Sequence, residues 1–135
     1  MLKQRLTNLA ANTEMNAHSR LLDGGFFDIY DGTQPATADD APGSDTHLLA
    51  SLQFGPRAFA AAVNGVAAAL AILSDPDAAR TGTATWYRLM QADHLTAVED
   101  GSVGRSNANL VLNSQQIQQH AEVSIDGFVL TASKS

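Results

Sequence analysis

Apolar residues recur at helical spacing along the start of the chain. Residues three, four and seven positions apart share one face of an α-helix. Arg20 and the following Gly24–Gly25 pair favour a helix end, because glycine readily adopts the left-handed conformation that closes helices. The pattern therefore predicts a helix to about Asp23, in which Asn12 is a candidate cap for a second stretch. The apolar residues at this spacing are Leu2, Leu6, Leu9, Met15 and Leu22, and His18 lies at the same spacing.

The apolar face of this predicted helix is narrow. Gln4, Asn8, Asn12, Asn16 and Ser19 occupy much of its circumference. A helix of this kind gains most of its stability from packing, so we expect it to lie on its own domain or on a partner.

The periodicity changes from helical to alternating at Phe26. Alternating apolar residues, or residues that favour a pleated surface, predict strands at 26–29, 47–54, 83–90, 96–99, 110–113 and 123–131. Tyr30 is assigned to the turn 30–32 that follows the first strand. Asp100–Gly101 is a turn signal. The stretch 58–73 is ambiguous because its alanines favour a helix, whereas Asn64–Gly65 at its centre favours a hairpin. We prefer the hairpin because turn and strand signals surround it.

About eight short strands separated by turn residues indicate a mainly β fold. This spacing is typical of an antiparallel sandwich or barrel, and eight strands match a jelly roll. We predict an N-terminal helical arm over residues 1–24 and a jelly-roll-like β-sandwich domain over residues 25–135. The stretch 33–45 lacks apolar periodicity and is predicted to be a solvated loop, longer than compact domains usually tolerate without a reason.

Composition and charge exclude several classes of protein. The 135 residues include no cysteine, which rules out disulfides and thiolate metal sites, and the net charge is −6 with dispersed basic residues. Nucleic-acid binding needs clustered cations, so direct contact with DNA or RNA is not expected. The longest apolar run is too short to span a bilayer, and no secretory signal is recognised. We expect neither a membrane protein nor an exported one.

Candidate catalytic and metal-binding residues do not form a recognisable pattern. The histidines His18, His47, His94 and His120 lack zinc-site spacing and are expected to be independent surface residues. The acidic residues of the predicted turns lack the closing Glu of a calcium loop. No nucleophile elbow, phosphate loop or dinucleotide motif is present. We therefore predict no cofactor, no metal and no enzymatic activity.

The adjacent pair Trp86–Tyr87 is not expected to form a binding platform. Neighbouring residues on a strand point to opposite faces. We expect Trp86 in the core and Tyr87 near the surface or an interface.

Four short segments carry a family resemblance. They are Leu21–Gly25 (LLDGG), Ile29–Ala36 (IYDGTQPA), Thr81–Arg88 (TGTATWYR) and Asp100–Gly104 (DGSVG). In these segments, and over nearly its whole length, the chain resembles the capsid cement or decoration proteins of tailed bacteriophages, most nearly that of Bordetella-type podophages. The resemblance implies a jelly-roll-like protein that dimerises on the outer capsid surface and staples neighbouring subunits, with no enzymatic role.

The resemblance also implies partners and a location. The expected partner is the major capsid protein, with a second copy of the chain in a homodimer, on the surface of a virion assembled in the host cytoplasm. The alternative is a tail- or fibre-associated virion protein or a carbohydrate-binding β-sandwich module. Candidate contact regions are the helix and the loop after the first strand, with the interface residues Leu2, Leu6, Leu9, Met15, Leu22, Tyr30, Gln34 and Pro35.

Overall fold

The chain folds as a mainly β protein with one N-terminal helix, as the sequence predicts. A computed structural model describes residues 5–132. This part of the chain contains ten short strands where about eight were expected. The strand predicted at 83–90 is divided, the stretch 66–73 contributes two strands, and residues 116–117 form a strand that was not predicted. The elements are α1 (Asn8–Arg20), β1 (Phe26–Tyr30), β2 (Leu48–Phe54), β3 (Val66–Ala68), β4 (Ile72–Leu73), β5 (Gly82–Thr83), β6 (Trp86–Met90), β7 (Ala97–Gly104), β8 (Leu110–Val111), β9 (Gln116–Ile117) and β10 (Val129–Thr131).

The strands form one large sheet and two small ones. The large sheet has the order β4-β2-β1-β6-β7-β8, and the small sheets pair β10 with β3 and β5 with β9. All these pairs are antiparallel, as predicted, except β7 with β8, which is parallel. The strand predicted at 83–90 is interrupted after Thr83, so its two parts, β5 and β6, belong to different sheets.

The ambiguous stretch is a hairpin, not a helix. Asn64 and Gly65 have φ angles of 53° and 76°, and Val63 and Val66 exchange backbone hydrogen bonds of 2.9 and 3.0 Å. Two consecutive residues with positive φ characterise the type I′ turn, which matches the twist of the strands it joins. The hairpin prediction for residues 58–73 is confirmed up to β4, which leaves the hairpin and pairs with β2.

The helix is shorter than predicted. Residues 5–7 are not helical, and Thr7 is the N-cap, with its Oγ1 accepting a hydrogen bond from the Ala10 amide. Asn12 lies inside the helix, so it is not a cap. The helix ends at Arg20, before the expected Asp23. Within residues 5–132, no helix has the length and apolarity needed to cross a lipid bilayer.

Helix α1 lies on its own domain, against the hairpin. Met15 is buried, and two of the asparagines that narrow the apolar face bind the hairpin backbone. Asn12 Oδ1 accepts from the Gly65 amide at 2.7 Å, and Asn16 Oδ1 accepts from the Ala62 amide at 2.8 Å. Of the two predicted alternatives, packing on the domain itself is therefore the one observed.

Both faces of the large sheet are covered. One face contributes to the main core, where Phe27, Tyr87 and Phe128 make tilted and edge-on ring contacts. Trp86 is fully buried on the opposite face, stacked on Tyr30 with ring centroids 4.4 Å apart. Trp86 is buried, as predicted, but on the face opposite the main core. The surface prediction for Tyr87 is wrong, because it assumed that only one face of the strand would be buried.

The expected turn at Asp100–Gly101 is in fact the middle of β7. Gly101 is the register partner of Tyr87, and a Cβ atom on it would lie 2.2 Å from the Tyr87 hydroxyl oxygen. The glycine therefore makes room for the phenol ring instead of forming a turn. The predicted strand 123–131 is also shorter, since only Val129–Thr131 pairs in a ladder and Val123 makes an isolated bridge to Asp75.

Candidate partner-binding site

A row of polar side chains crosses four strands on the outer face of the large sheet, the face that carries Trp86. Ser51 in β2 is the register partner of Asp28 in β1. Asp28 is in turn the partner of Arg88 in β6, and Arg88 is the partner of Asp100 in β7. Register partners on neighbouring strands share a face, so the four side chains lie in one line. Ser51 Oγ donates to Asp28 Oδ1, and Arg88 Nε and Nη2 donate to the two Asp100 oxygens.

The charges in this row are buried and paired. The side chains of Arg88 and Asp100 are 6% and 4% exposed, and their Nε–Oδ1 distance is 2.6 Å. Hydrogen bonding to Asp100 raises the pKa of Arg88, against the opposing effect of burial. The second carboxylate, Asp28, lies 2.7 Å from Nε2 of His94, whose ring stacks on Phe26. A guanidinium bound by both oxygens of one buried carboxylate is a strong, geometrically fixed arrangement.

Ser51, Asp28 and His94 are the residue types of a hydrolytic triad, but their side chains are not connected as a triad requires. A serine nucleophile needs its hydroxyl against the imidazole that removes its proton. Here both the Ser51 hydroxyl and the His94 ring bind the Asp28 carboxylate, one on each oxygen. The cluster therefore holds two strands and a turn together and has no activated nucleophile.

The segment between β1 and β2 is attached to the outer face at several points. Arg88 Nη2 donates to Asp40 O at 2.7 Å, Trp86 Nε1 to Asp31 O at 3.0 Å, and Thr85 Oγ1 to Gly32 O at 2.6 Å. The predicted loop 33–45 is largely exposed, as expected. Its length has a structural reason, because it covers Arg88 and supplies an acceptor for it.

Acidic side chains near the two ends of this segment bind residues at its opposite end. Asp45 Oδ2 accepts from the Thr33 amide at 3.1 Å, and hydrogen bonds from Thr33 lower the pKa of Asp45. Asp31 accepts from the backbone amide of His47, and its carboxylate lies 3.1 Å from the His47 ring nitrogen. The ends of the loop are therefore held close together.

A groove of about 520 Å³ runs between this loop and strands β6 and β7. Its walls include the half-buried Tyr30 ring, Met90 and Pro42, and Arg88 lies in its floor. Asp39 and Asp40 are exposed on the loop side. Leu95, in the turn between β6 and β7, stands on the opposite side with 85% of its surface exposed. The groove thus combines apolar walls with an acidic rim.

The structure places the predicted interface residues in three groups. Leu2 lies outside the described residues. In the helical region, Leu6 precedes α1 and is half-buried, and Leu9 on α1 is 78% exposed. Met15 on α1 and Leu22 just after it are part of the hydrophobic core. Met15 and Leu22 are therefore removed from the candidate interface, because the domain itself covers them. The remaining predicted residues belong to the loop region: Tyr30 in the groove, Gln34 exposed and Pro35 half-buried.

Leu95 is the residue of the groove that sequence patterns do not reveal. It follows the turn residues Asp93 and His94 and belongs to no apolar periodicity. The turn is fixed by Asp93, whose Oδ1 accepts from the amides of Leu95 and Thr96, and these bonds lower the pKa of Asp93. The signal, visible only in retrospect, is a single leucine between residues that favour turns.

The histidines are not independent, contrary to expectation. Each has a carboxylate within ion-pair distance: Glu99 for His18, Asp31 for His47, Asp28 for His94 and Asp77 for His120. The pairs join residues far apart in the sequence, which is why spacing did not predict them. Across residues 5–132, no group of three histidine or acidic residues is positioned to hold a metal ion.

Helix α1 and the groove are thus the two places where candidate contact residues are accessible. Leu9 is the accessible residue of α1, with the half-buried Leu6 just before it, and Tyr30 and Leu95 line the groove. Their chemistry is the basis for a functional proposal, since no family model, curated protein or solved structure matches this chain.

Proposed function

We propose that this chain is a capsid cement protein of a tailed bacteriophage. In this role a homodimer binds the outer surface of the assembled capsid and staples neighbouring major capsid subunits, without catalysing a reaction. The observation that carries the proposal is the presence of exposed leucines on two different elements, Leu9 on α1 and Leu95 beside the groove. A staple needs two contact regions, because it has to hold two neighbours at once.

The segments that carry the resemblance support this proposal at the level of the fold. Three of the four meet around the outer face of the sheet. Trp86 of the third segment donates to Asp31 of the second, and Arg88 of the third pairs with Asp100 of the fourth. These segments therefore build the frame beneath the loop, which is the part a shared architecture would require.

Simple energetics make two modest contact regions sufficient. A standard interface buries about 800 Å² on each partner. When two such regions are joined in one molecule, the second binding event becomes intramolecular, and the overall affinity can rise by about a hundredfold or more without new contacts. Weak sites around Leu9 and Leu95 can then give durable attachment to a repetitive shell.

The carbohydrate-binding alternative receives less support from the aromatic residues. Phe27, Trp86 and Tyr87 are buried. Phe26 and Tyr30 are half-buried, and each already stacks on a neighbour, His94 and Trp86 respectively. Because neither ring is fully exposed, neither offers the broad open platform on which a sugar ring stacks.

Co-sedimentation with capsid shells that lack the protein tests the proposal. We expect binding that saturates at a fixed ratio to the major capsid protein. Leu9→Asp and Leu95→Asp are each expected to weaken binding by about tenfold or more, because they place a charge in an apolar contact. Leu70→Asp, at a leucine that is also exposed, is the matched control and is expected to bind as the native chain does.

Circular dichroism of each variant would show that a loss of binding does not come from unfolding. An absence of saturable binding by the native chain would overturn the cement role. The tail- or fibre-associated alternative would then be tested with purified tails in the same assay. Equal binding of the native chain and both leucine variants would instead remove the two proposed contact regions.

A further inference from the structure

We infer that the groove between loop 33–45 and strands β6 and β7 binds a protein segment in which an apolar side chain lies next to a lysine or arginine. The inference rests on the proposed function for the identity of the partner, which would present this segment on the capsid surface. The groove itself is argued from its own chemistry.

The interior of the groove suits an apolar side chain. Tyr30, Met90 and Pro42 form apolar walls, and Leu95 extends from the rim into solvent. An exposed leucine beside an apolar groove is a large unburied surface that a partner side chain can cover. The volume of about 520 Å³ is ample for one or two side chains.

The positive charge in the floor is not available to a ligand. The guanidinium of Arg88 donates two hydrogen bonds to Asp100 and one to Asp40 O, and it lies 5.4 Å from the centre of the Trp86 ring. Its charge is balanced by Asp100, and a further anion in the groove would be repelled by the exposed carboxylates of Asp39 and Asp40. The groove therefore does not select a carboxylate or a phosphate group.

The exposed charges of the rim are negative. Asp39 and Asp40 line the loop side, and within the described chain neither forms an ion pair with a lysine, arginine or histidine. Arg88, the one basic residue that lines the groove, is already engaged. Complementary charges across an interface favour the correct partner and accelerate association. A lysine or arginine beside the apolar side chain would meet these carboxylates.

The groove is formed before a partner arrives. Arg88 donates a hydrogen bond to Asp40 O, Asp45 Oδ2 accepts one from the Thr33 amide, and Asp40 Oδ2 accepts one from the Thr37 amide. A loop that is already ordered loses little conformational freedom on binding, which preserves affinity for a short segment. Binding is therefore expected without rearrangement of the loop.

Two-dimensional NMR of the full chain with short peptides tests this inference. The probe is the acetylated and amidated peptide Gly-Leu-Lys-Leu-Lys-Gly, and the matched probes replace both lysines by glutamate or both leucines by alanine. We expect the leucine-lysine peptide to shift the amide signals of Tyr30, Asp40 and Leu95. The two other peptides are expected to bind at least about tenfold more weakly.

Variants separate the charge from the apolar contact. The double variant Asp39→Asn, Asp40→Asn keeps the side-chain shapes and is expected to lower the affinity for the leucine-lysine peptide by about tenfold. It should also remove most of the difference in affinity between about 20 mM and about 200 mM salt. Leu95→Ser is expected to lower the affinity for the leucine-lysine peptide at both salt concentrations. Asp126→Asn, at an exposed acidic residue outside the groove, is the control and should leave binding unchanged.

The outcomes distinguish this inference from the proposed function. If the native chain saturates capsid shells but the peptide leaves the groove signals unchanged, the inference fails and the cement role stands. If the peptide binds the groove but shells are not bound, the cement role fails and the groove remains a site. Equal binding of the glutamate peptide would overturn the charge argument. Groove signals that shift with protein concentration alone would identify a second copy as the occupant and would also overturn the inference.

Discussion

Arg88 and Asp100 form a bidentate ion pair beneath loop 33–45. Nε of Arg88 lies 2.6 Å from Oδ1 of Asp100, and Nη2 lies 2.8 Å from Oδ2. The same Nη2 also donates to Asp40 O at 2.7 Å. One buried side chain thus fixes the position of the loop relative to the sheet, so the stability of the fold and the shape of the groove depend on the same contact.

Removing the carboxylate of this pair should be strongly destabilising. Asp100→Ala would leave the Arg88 guanidinium buried without its counterion, and we expect a loss of about 3–5 kcal/mol in the free energy of unfolding. Urea unfolding followed by circular dichroism measures the change. Asp126→Ala, at an exposed aspartate, is the control and should shift the free energy by less than about 0.5 kcal/mol. Equal urea midpoints of unfolding for the two variants would contradict the stabilising role of the Arg88–Asp100 pair.

The hairpin turn should be sensitive to a single methyl group at Gly65. This residue has a φ angle of 76°, which costs a residue with a Cβ atom about 1–2 kcal/mol. Gly65→Ala is therefore expected to lower the free energy of unfolding by about that amount in a urea titration. Gly127→Ala is the matched control, because a Cβ there meets no atom within 4 Å and its φ is not positive. A Gly65 variant as stable as the Gly127 variant would refute the argument.

The sequence predicts those parts of the fold that depend on local rules. Asn64–Gly65 identifies the hairpin because few residue pairs accept two positive φ angles. The threonines and aromatic residues of 83–90 identify a strand. Tyr87 shows the limit of this reasoning, since alternation predicts that neighbours face opposite ways but does not reveal that both faces are covered. Gly101 shows the same limit, because its partner Tyr87 is known only once the register is known.

The candidate site depends on contacts between distant parts of the chain. Asp28 meets His94 across 66 positions, and Arg88 meets the loop backbone across 48. Such pairs leave no mark on local periodicity. The sequence therefore selects Tyr30, Gln34 and Pro35 as loop residues, but it does not reveal the groove or the contribution of Leu95.

Two leucines of the N-terminal region should respond differently to the same substitution. Leu22 is fully buried in the core, and Leu22→Ala should cost about 2–5 kcal/mol in the free energy of unfolding. Leu9 is 78% exposed, and Leu9→Ala should change this free energy by less than about 0.5 kcal/mol. Thermal and urea unfolding of both variants provide the comparison. A large loss of stability on Leu9→Ala would show that this side chain packs within the domain, and would remove it from the proposed interface.

The same comparison bears on the predicted helical arm. Because Met15 and Leu22 are in the core and Asn12 binds the hairpin backbone, deletion of residues 1–23 is expected to destabilise the whole domain. Capsid binding by the helix is therefore better tested with point variants at Leu9. A deletion variant with native stability would contradict this expectation.

The contact between His18 and Glu99 should make stability depend on pH. His18 Nε2 lies 3.2 Å from Glu99 Oε1 and forms no regular hydrogen bond, so the contact is mainly a charge pair. The contact with Glu99 raises the pKa of His18 above 6.5, against the opposing effect of burial. A raised pKa in the folded state means that the folded chain binds the proton more tightly than the unfolded chain.

The stabilisation by protonated His18 is therefore complete below about pH 6.5 and is lost as the pH rises through the folded-state pKa. The free energy of unfolding of the native chain minus that of His18→Gln should be larger at about pH 5.5 than at about pH 8, by less than about 1 kcal/mol because the pair is partly exposed. Urea titrations at the two pH values measure this difference. In a Glu99→Gln background the substitution should have a smaller pH dependence, since the neutral amide does not favour the protonated ring. A difference that stays constant between the two pH values, or increases at the higher one, would show that Glu99 does not stabilise the protonated form of His18.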